Sequence, residues 1–356
     1  MNSTIIHERP GVYSSYDASA VVSGGAARKV IGVAAKAAKG EKETVVPLSS
    51  YAAGVAAFGE DLETTSMALL LRMLYLNGAA SVIAVAVKDT GTQADYQAAF
   101  ALLEQQDEIG VIVCDSTDSE VQQALRDSVV AASAARRERI AVVGSAEESV
   151  AELIDHAEAI NSERVVLVGG EGLNGDGKAL GGAATAAALA GVIAVQSDPA
   201  VPLNGAVVQG LSGLAAQYSD DEIDLLVRGG VTPLESSAGA VSAVRGITTR
   251  TTTGAAPDTT WRELTTILIV DDVIPQIRNG LRRKFSRTKN TAQTRSAIRS
   301  QVIVELENKR SAEIIDSFGE VQVRADAEDP SVCEVEFTFT VAHGLNQIYL
   351  TAHITV

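Results

Sequence analysis

SVIAVAVKDTGTQADYQAAFALLEQQDEIGVIVC, residues 81–114, opens on one unbroken apolar run and closes on another, with a polar, Ala- and Gln-rich segment between them. A short apolar run bounded by turn residues reads as a strand covered on both faces, and the segment between two such runs reads as a helix. The pattern continues at Ile140–Val143 and Val165–Val168, each run preceded by a helical stretch rich in Ala, Gln, Glu and Arg. Runs starting at Ser81, Gly110, Ile140 and Val165 have the spacing of βαβ units with crossover helices, so the expectation is an α/β fold: a central parallel sheet flanked by helices.

Working outward, Lys29–Ala34 reads as another strand, Ser66–Asn77 (SMALLLRMLYLN) as a buried helix and Gly181–Val195 as a Gly/Ala-rich helix. Asp220–Arg228 reads as a short amphipathic helix capped by Ser219. Thr248–Asp258 (TTRTTTGAAPD) marks a boundary, because Gly254 and Pro257 end any strand there. Beyond it the order changes to helices followed by strands. Thr259 to about Phe285 is predicted as a long helix with Asp258 as N-cap and a kink at Pro275, and Thr291–Arg310 as a second. Strands are predicted at Glu320–Ala325, Val332–Ala342 and Ile348–Val356, making this part α+β. In the middle one, Cys333, Val335, Phe337, Phe339 and Val341 share the apolar face.

The 356 residues suffice for about two domains. Hydrophobic residues make up 46% and aromatics only 4%, so the cores are built largely of Ala and Val. No apolar run is long enough to span a membrane, and MNSTIIHERPG lacks the basic and apolar regions of a secretory signal, which predicts folding in a cytoplasm. Cys114 and Cys333 both sit in apolar strand patterns and read as buried thiols, not as a disulfide or a metal cluster.

The net charge of −16 argues against nucleic acid as the main partner. It is unevenly placed. Arg278, Arg282, Arg283, Lys284, Arg287, Lys289, Arg295 and Arg299 fall in one stretch without an acid, leaving 21 basic residues against 45 acidic ones elsewhere. With Phe285 as its one aromatic, this strip suits docking on an acidic protein surface better than nucleic-acid binding.

Phe337–Val356 contains no Lys, Arg, Asp or Glu, and Ile348, Leu350, Ala352, Ile354 and Val356 alternate with Tyr349, Thr351, His353 and Thr355. Such an unguarded strand either completes its own sheet or is lent to a neighbouring chain.

Catalytic lookalikes are few. In VVLVGGEGLNGDGKALGG (Val165–Gly182), Gly170, Gly172 and Gly175 fit G-x-G-x-x-G, while Gly172, Gly177 and Lys178 fit most of a phosphate-binding loop. Ala179 lacks the hydroxyl that loop needs, and Glu171 and Asp176 oppose a phosphate. A flexible surface loop is the plainer reading, and an α/β nucleotide-binding enzyme using residues 169–182 the alternative function. His7, His156, His343 and His353 stand in no hydrolase motif. Asp115, at the carboxyl end of a strand, reads as a helix N-cap with Ser116 and Asp118.

RPGVYSSYDASA (Arg9–Ala20), VVPLSSYAAGVAAFGED (Val45–Asp61), ALLLRMLYLNGAASVIAVAV (Ala68–Val87), AGVIAVQSDPAVPLNGAVVQGL (Ala190–Leu211) and the C-terminal tail together resemble, in order and spacing, the contractile tail sheath proteins of bacteriophages and phage-tail-like bacteriocins. The resemblance implies a compact sheath subunit. Its parts would be an N-terminal arm at residues 1–20, an α/β core at 21–256, a C-terminal α+β domain facing the tube at 257–343 and a C-terminal arm at 344–356. Pro10, Gly11, Val12 and Tyr13 would lie in the first arm, and Ile348, Tyr349, Leu350, Ala352, Ile354 and Val356 in the second, each arm adding a strand to a neighbour's sheet. The implied partners are further copies in stacked hexameric rings, an inner tail tube, and baseplate and tail terminator proteins, in a virion tail or bacteriocin particle assembled in the host cytoplasm. No cofactor, enzymatic activity or membrane insertion is implied. The Gly-rich loop matches no feature of that family.

Overall fold

The computed structural model describes residues 30–60, 66–146 and 149–346. These divide into two compact units, residues 30–267 with 343–346, and residues 268–342. The proposed arm residues Pro10–Tyr13 and Ile348–Val356 lie outside the described residues.

The first unit is built on the predicted sheet. Its parallel strands are β1 (Val30–Lys36), β3 (Ser81–Val87), β4 (Ile109–Cys114), β5 (Ile140–Gly144), β6 (Val165–Gly169) and β9 (Val231–Ser237). Three of the strands were not foreseen: β9, which extends the parallel order beside β6, and β2 (Val45–Leu48) and β10 (Ala240–Ala243), which close the edges antiparallel, giving the order β10-β9-β6-β5-β4-β1-β3-β2. Pro47 sits in the edge strand β2, where a missing ladder donor is tolerated.

Helices cover both faces. On one, α3 (Gln93–Glu104), α4 (Ser119–Ala134), α5 (Val150–Ile160) and α7 (Asp220–Arg228) set Phe100, Leu103, Leu125, Leu153 and Leu226 against Val85, Ile112, Val143 and Leu167 of the strands. Their starts are chemically marked. Thr92, Asp118, Ser149 and Ser219 each accept a backbone N–H of the first turn, and Ser219 forms a capping box with Glu222, as predicted for α7. On the other face, α1 (Tyr51–Phe58) packs beside α2 (Met67–Leu76), and α2 lies along α6 (Gly182–Val195). Twelve of the fourteen residues of α6 are buried, which requires the small side chains its Ala-rich sequence supplies.

Short pairings trim this unit: β7 (Gly172–Leu173) with β8 (Gly213–Leu214), and β11 (Thr252–Thr253) with β12 (Ala256–Pro257). Asn161, the left-handed C-cap of α5, clamps the second hairpin by accepting the amides of Thr251 and Thr252 and donating to the Thr252 carbonyl.

Helix α8 (Leu264–Phe285) starts five residues later than predicted, and Asp258 is not its N-cap. Residues 246–248 compete for that backbone: the Thr248 amide donates to the Arg262 carbonyl, the Leu264 amide to Gly246, and Ile247 bridges Glu263. Asp258 instead accepts the Thr260 amide and the Thr253 hydroxyl. The helix continues through Pro275.

In the second unit, α9 (Ala292–Ser311), capped by Thr291, runs antiparallel to α8. Lys309 pairs with buried Asp272, Lys284 reaches Gln301, and Gly280 faces Glu305. Four strands follow: β13 (Ile315–Phe318), β14 (Gln322–Ala325), β15 (Cys333–Glu336) and β16 (Phe339–Val341). The predicted strand Val332–Ala342 is therefore two, broken at Phe337–Thr338, because its halves serve different partners: β15 pairs with β14 and β16 with the unforeseen β13. The predicted alternation survives the break, with Phe339 and Val341 buried and Glu334, Glu336, Thr338 and Thr340 exposed. Among the described residues no helix is long and apolar enough to cross a membrane.

Candidate assembly surfaces

The basic stretch folds into the α8–α9 hairpin and its turn. Arg282, Arg283, Lys284, Arg287, Lys289 and Arg299 are exposed there, Arg295 is half-buried, and Arg278 is buried. The last is a correction: Arg278 is buried and is no part of a surface strip; it lies four residues before Arg282 and so shares its helix face, but that face is covered at Arg278 and open only at the hairpin end. Arg295 donates to Asn290, whose amide in turn holds the carbonyls of Pro330 and Val332, and Arg299 pairs with Glu320 and the Val321 carbonyl. Arg282, Arg283, Arg287 and Lys289 form no ion pair among the described residues, which leaves four cations at one helix end. Arg282, Arg283 and Lys284 also complement the carboxyl-terminal dipole of α8.

Among the described residues the two small sheets of the second unit have two strands each. A two-stranded ribbon is marginal alone and presents unpaired N–H and C=O groups along its edges.

The Gly-rich loop is not the flexible segment expected. Asn174 Oδ1 accepts the amides of Asp176 and Lys178, both at 2.9 Å, and its main chain exchanges bonds with Gly177 and Lys178. The Gly172 amide donates to Thr185 Oγ1 at 2.8 Å and that of Leu180 to the Gly172 carbonyl. A phosphate cradle needs such amides free and convergent; here they are spent within the turn.

Asp115 is not a helix cap either; Asp118 caps α4. Asp115 sits where strand order reverses, between β1 and β4, the position where α/β enzymes place ligands. Its carboxylate accepts the Lys36 amide at 3.0 Å, the Ser66 hydroxyl at 2.7 Å and the Tyr96 hydroxyl at 2.6 Å, stapling β1, the start of α2, and α3 together. Burial, then the Asp115 charge, pushes the Tyr96 hydroxyl pKa up, and the same two causes push the neighbouring Cys114 thiol to about 12. The adjoining cavity of about 260 Å³ is bordered by Glu171 and the first residues of α6. Two carboxylates line it, a poor setting for a phosphate.

One constellation was missed. His156, read as part of a polar helix, is buried, and its Nδ1 lies 3.2 Å from Ser145 Oγ. Eleven positions apart and in no motif, the pair carried no sequence signal. Both residues are buried in the α5–β5 packing, so the contact serves the core. Cys333 is half-buried, less so than predicted, while Cys114 is buried.

The geometry defines a mostly parallel α/β unit, followed along the chain by a helical hairpin and two-stranded sheets; among the described residues no catalytic site is assembled. The family model for the phage tail sheath protein central domain matches residues 89–249, and the model for the phage tail sheath C-terminal domain matches residues 256–355, consecutive and in order. The chain belongs to the tail sheath family. It is 28% identical over 305 residues to the tail sheath protein of Mycobacterium phage Bxz1; the match covers 80% of this chain but only 50% of that relative's length. In fold it is similar to the sheath tail protein of Desulfitobacterium hafniense, with a TM-score of 0.70, 13% identity, and coverage of 93% of this chain and 100% of that one. It is similar also to the helical sheath of the anti-feeding prophage in its contracted state, with a TM-score of 0.72, 14% identity, and coverage of 98% and 99%.

Proposed function

We propose that this chain is the repeating subunit of a contractile tail sheath. Copies polymerise as stacked hexameric rings around an inner tube, bounded by baseplate and terminator proteins, and contraction drives the tube through a cell envelope. The observation that carries the reading is the ordered match of both sheath domains to one chain, with a fold shared along 98% of its length with a sheath in the contracted state. The arms, with Pro10–Tyr13 in one and Ile348–Val356 in the other, add strands to the open edges of β13–β16 and β14–β15 in neighbouring copies. Backbone ladders of this kind keep subunits tethered while they swing. The exposed cations Arg282, Arg283, Lys284, Arg287 and Lys289 face an acidic inner tube. These contacts are individually weak, no more than about 1 kcal/mol each, as a surface that must let go requires. The subunit is structural, not enzymatic, and acts in a phage tail or bacteriocin particle after assembly in the bacterial cytoplasm.

Electron microscopy of the purified chain tests this. Long hollow tubes are expected from the full chain. Deleting residues 347–356 should leave a folded monomer that forms none; a truncated chain that still forms tubes, or one that unfolds, would place that strand inside its own domain.

A further inference from the structure

Exposed large apolar side chains concentrate on one surface of the first unit. Leu76 ends α2, Val195 ends α6, Val201 and Val207 lie in the connection after α6, and Leu345 lies on the last described segment. They are between 47% and 72% exposed. Tight local contacts make this one surface. Asn77, following Leu76, accepts the Gln209 amide at 2.7 Å and donates to its carbonyl at 3.0 Å. Leu76 lies against Gly210, Val195 against Gly78, and Pro202 against Gly344, while Asn204 donates to Asn346 at 2.8 Å. The connection, both helix ends and the root of the C-terminal segment therefore adjoin on one surface, which carries these five apolar side chains. Clustered side chains of this kind mark an interaction surface, whereas scattered ones need no explanation.

We infer that this patch is a contact surface for a second copy of the chain, the copy that receives the C-terminal strand. The inference rests on the sheath reading above. Continuity with the C-terminal segment supports it. Ile348, where the exchanged strand begins, is two residues beyond Asn346, so it starts within about 7 Å of a residue fixed to the patch. A copy that takes Ile348 into its own sheet must come up against Leu345, Val201 and Val207. The five side chains are apolar, with Arg72, one turn before Leu76, and Asp198, in the same connection, at the border.

The test uses the full chain as single Val201→Asp and Val207→Asp variants, read by thermal melting and by the mass of sedimentable tubes. Both positions are half-exposed, so unchanged melting is expected together with at least about a tenfold loss of tubes, the effect of one charge placed in an apolar contact. Hydrogen exchange on the unmodified chain, free and assembled, supplies a readout should either variant fold poorly. At least about tenfold slower exchange in residues 196–211 on assembly is expected. Variants that melt normally and form tubes at the original yield, or exchange unchanged by assembly, overturn the inference. An unmodified chain that forms no tubes overturns instead the sheath reading beneath it.

Discussion

Gly144 and Gly182 meet backbone to backbone: a Cβ on Gly144 would lie 2.0 Å from the Gly182 carbonyl oxygen, and one on Gly182 would lie 1.9 Å from the Ser145 carbonyl oxygen. The carboxyl end of β5 thus touches the first residue of α6 with no side chain between them. This approach seats the buried helix on the sheet. Gly182→Ala should destabilise by about 3 kcal/mol or more, since backbone cannot give way as a side-chain tip can. Gly175→Ala, where nothing lies within 4 Å, should be neutral or nearly so. Urea denaturation of the two variants checks the contrast.

Asp115 supports three elements from a single carboxylate. Asp115→Ala leaves a main-chain donor and two hydroxyls without their acceptor, and should cost about 2–4 kcal/mol. Tyr96→Phe removes one of those bonds and should cost about 1 kcal/mol. A double variant losing clearly less than the sum of the two would locate both effects in one network.

Asp95 gives a pH dependence. Hydrogen bonds from the Thr90 and Thr92 hydroxyls and the Thr92 amide hold its carboxyl at about 2, against 3.8 when unperturbed. A folded-state value below the unfolded one favours the ionised form, so this contribution is present in full above about pH 4 and is lost as pH falls through 2. The melting-temperature gap between the chain and Asp95→Asn should be constant above pH 5 and should narrow between pH 4 and 2.

The cysteines should differ in reactivity. Cys114 is buried and its thiol pushed up to about 12, whereas Cys333 is half-buried and raised chiefly by burial. At pH 8 a thiol reagent should label one site in the native chain, and Cys333→Ala should abolish that labelling until denaturant exposes Cys114.

Reversing Arg282 and Arg283 to Glu should leave the chain folded at a cost of about 1–2 kcal/mol, because both side chains are exposed but two carboxylates would oppose the carboxyl-terminal dipole of α8. Co-sedimentation with an acidic tube should be lost, and in the unmodified chain it should weaken as salt rises. Equal co-sedimentation of the reversed chain would show that the hairpin tip does not face the tube.

Local chemistry on consecutive residues determined much of this protein without reference to tertiary structure. Four apolar runs at βαβ spacing declared the parallel sheet, Ser219 and Thr291 declared their helix starts, and the alternation of Cys333 to Val341 declared its buried face. These signals are legible because each is a short-range pattern of burial or hydrogen bonding carried by adjacent residues. Tertiary structure decided what depends on distant partners. Residues 246–248 claimed the backbone that delayed α8, β13 and β14 split one predicted strand in two, and packing turned Arg278 inward. Thr185 took the Gly172 amide of a loop whose glycines promise freedom, and Ser145 met His156 across a crossover. In each case the winning interaction lay with a group remote in sequence or hidden by the fold, and pattern along the chain carries no term for it.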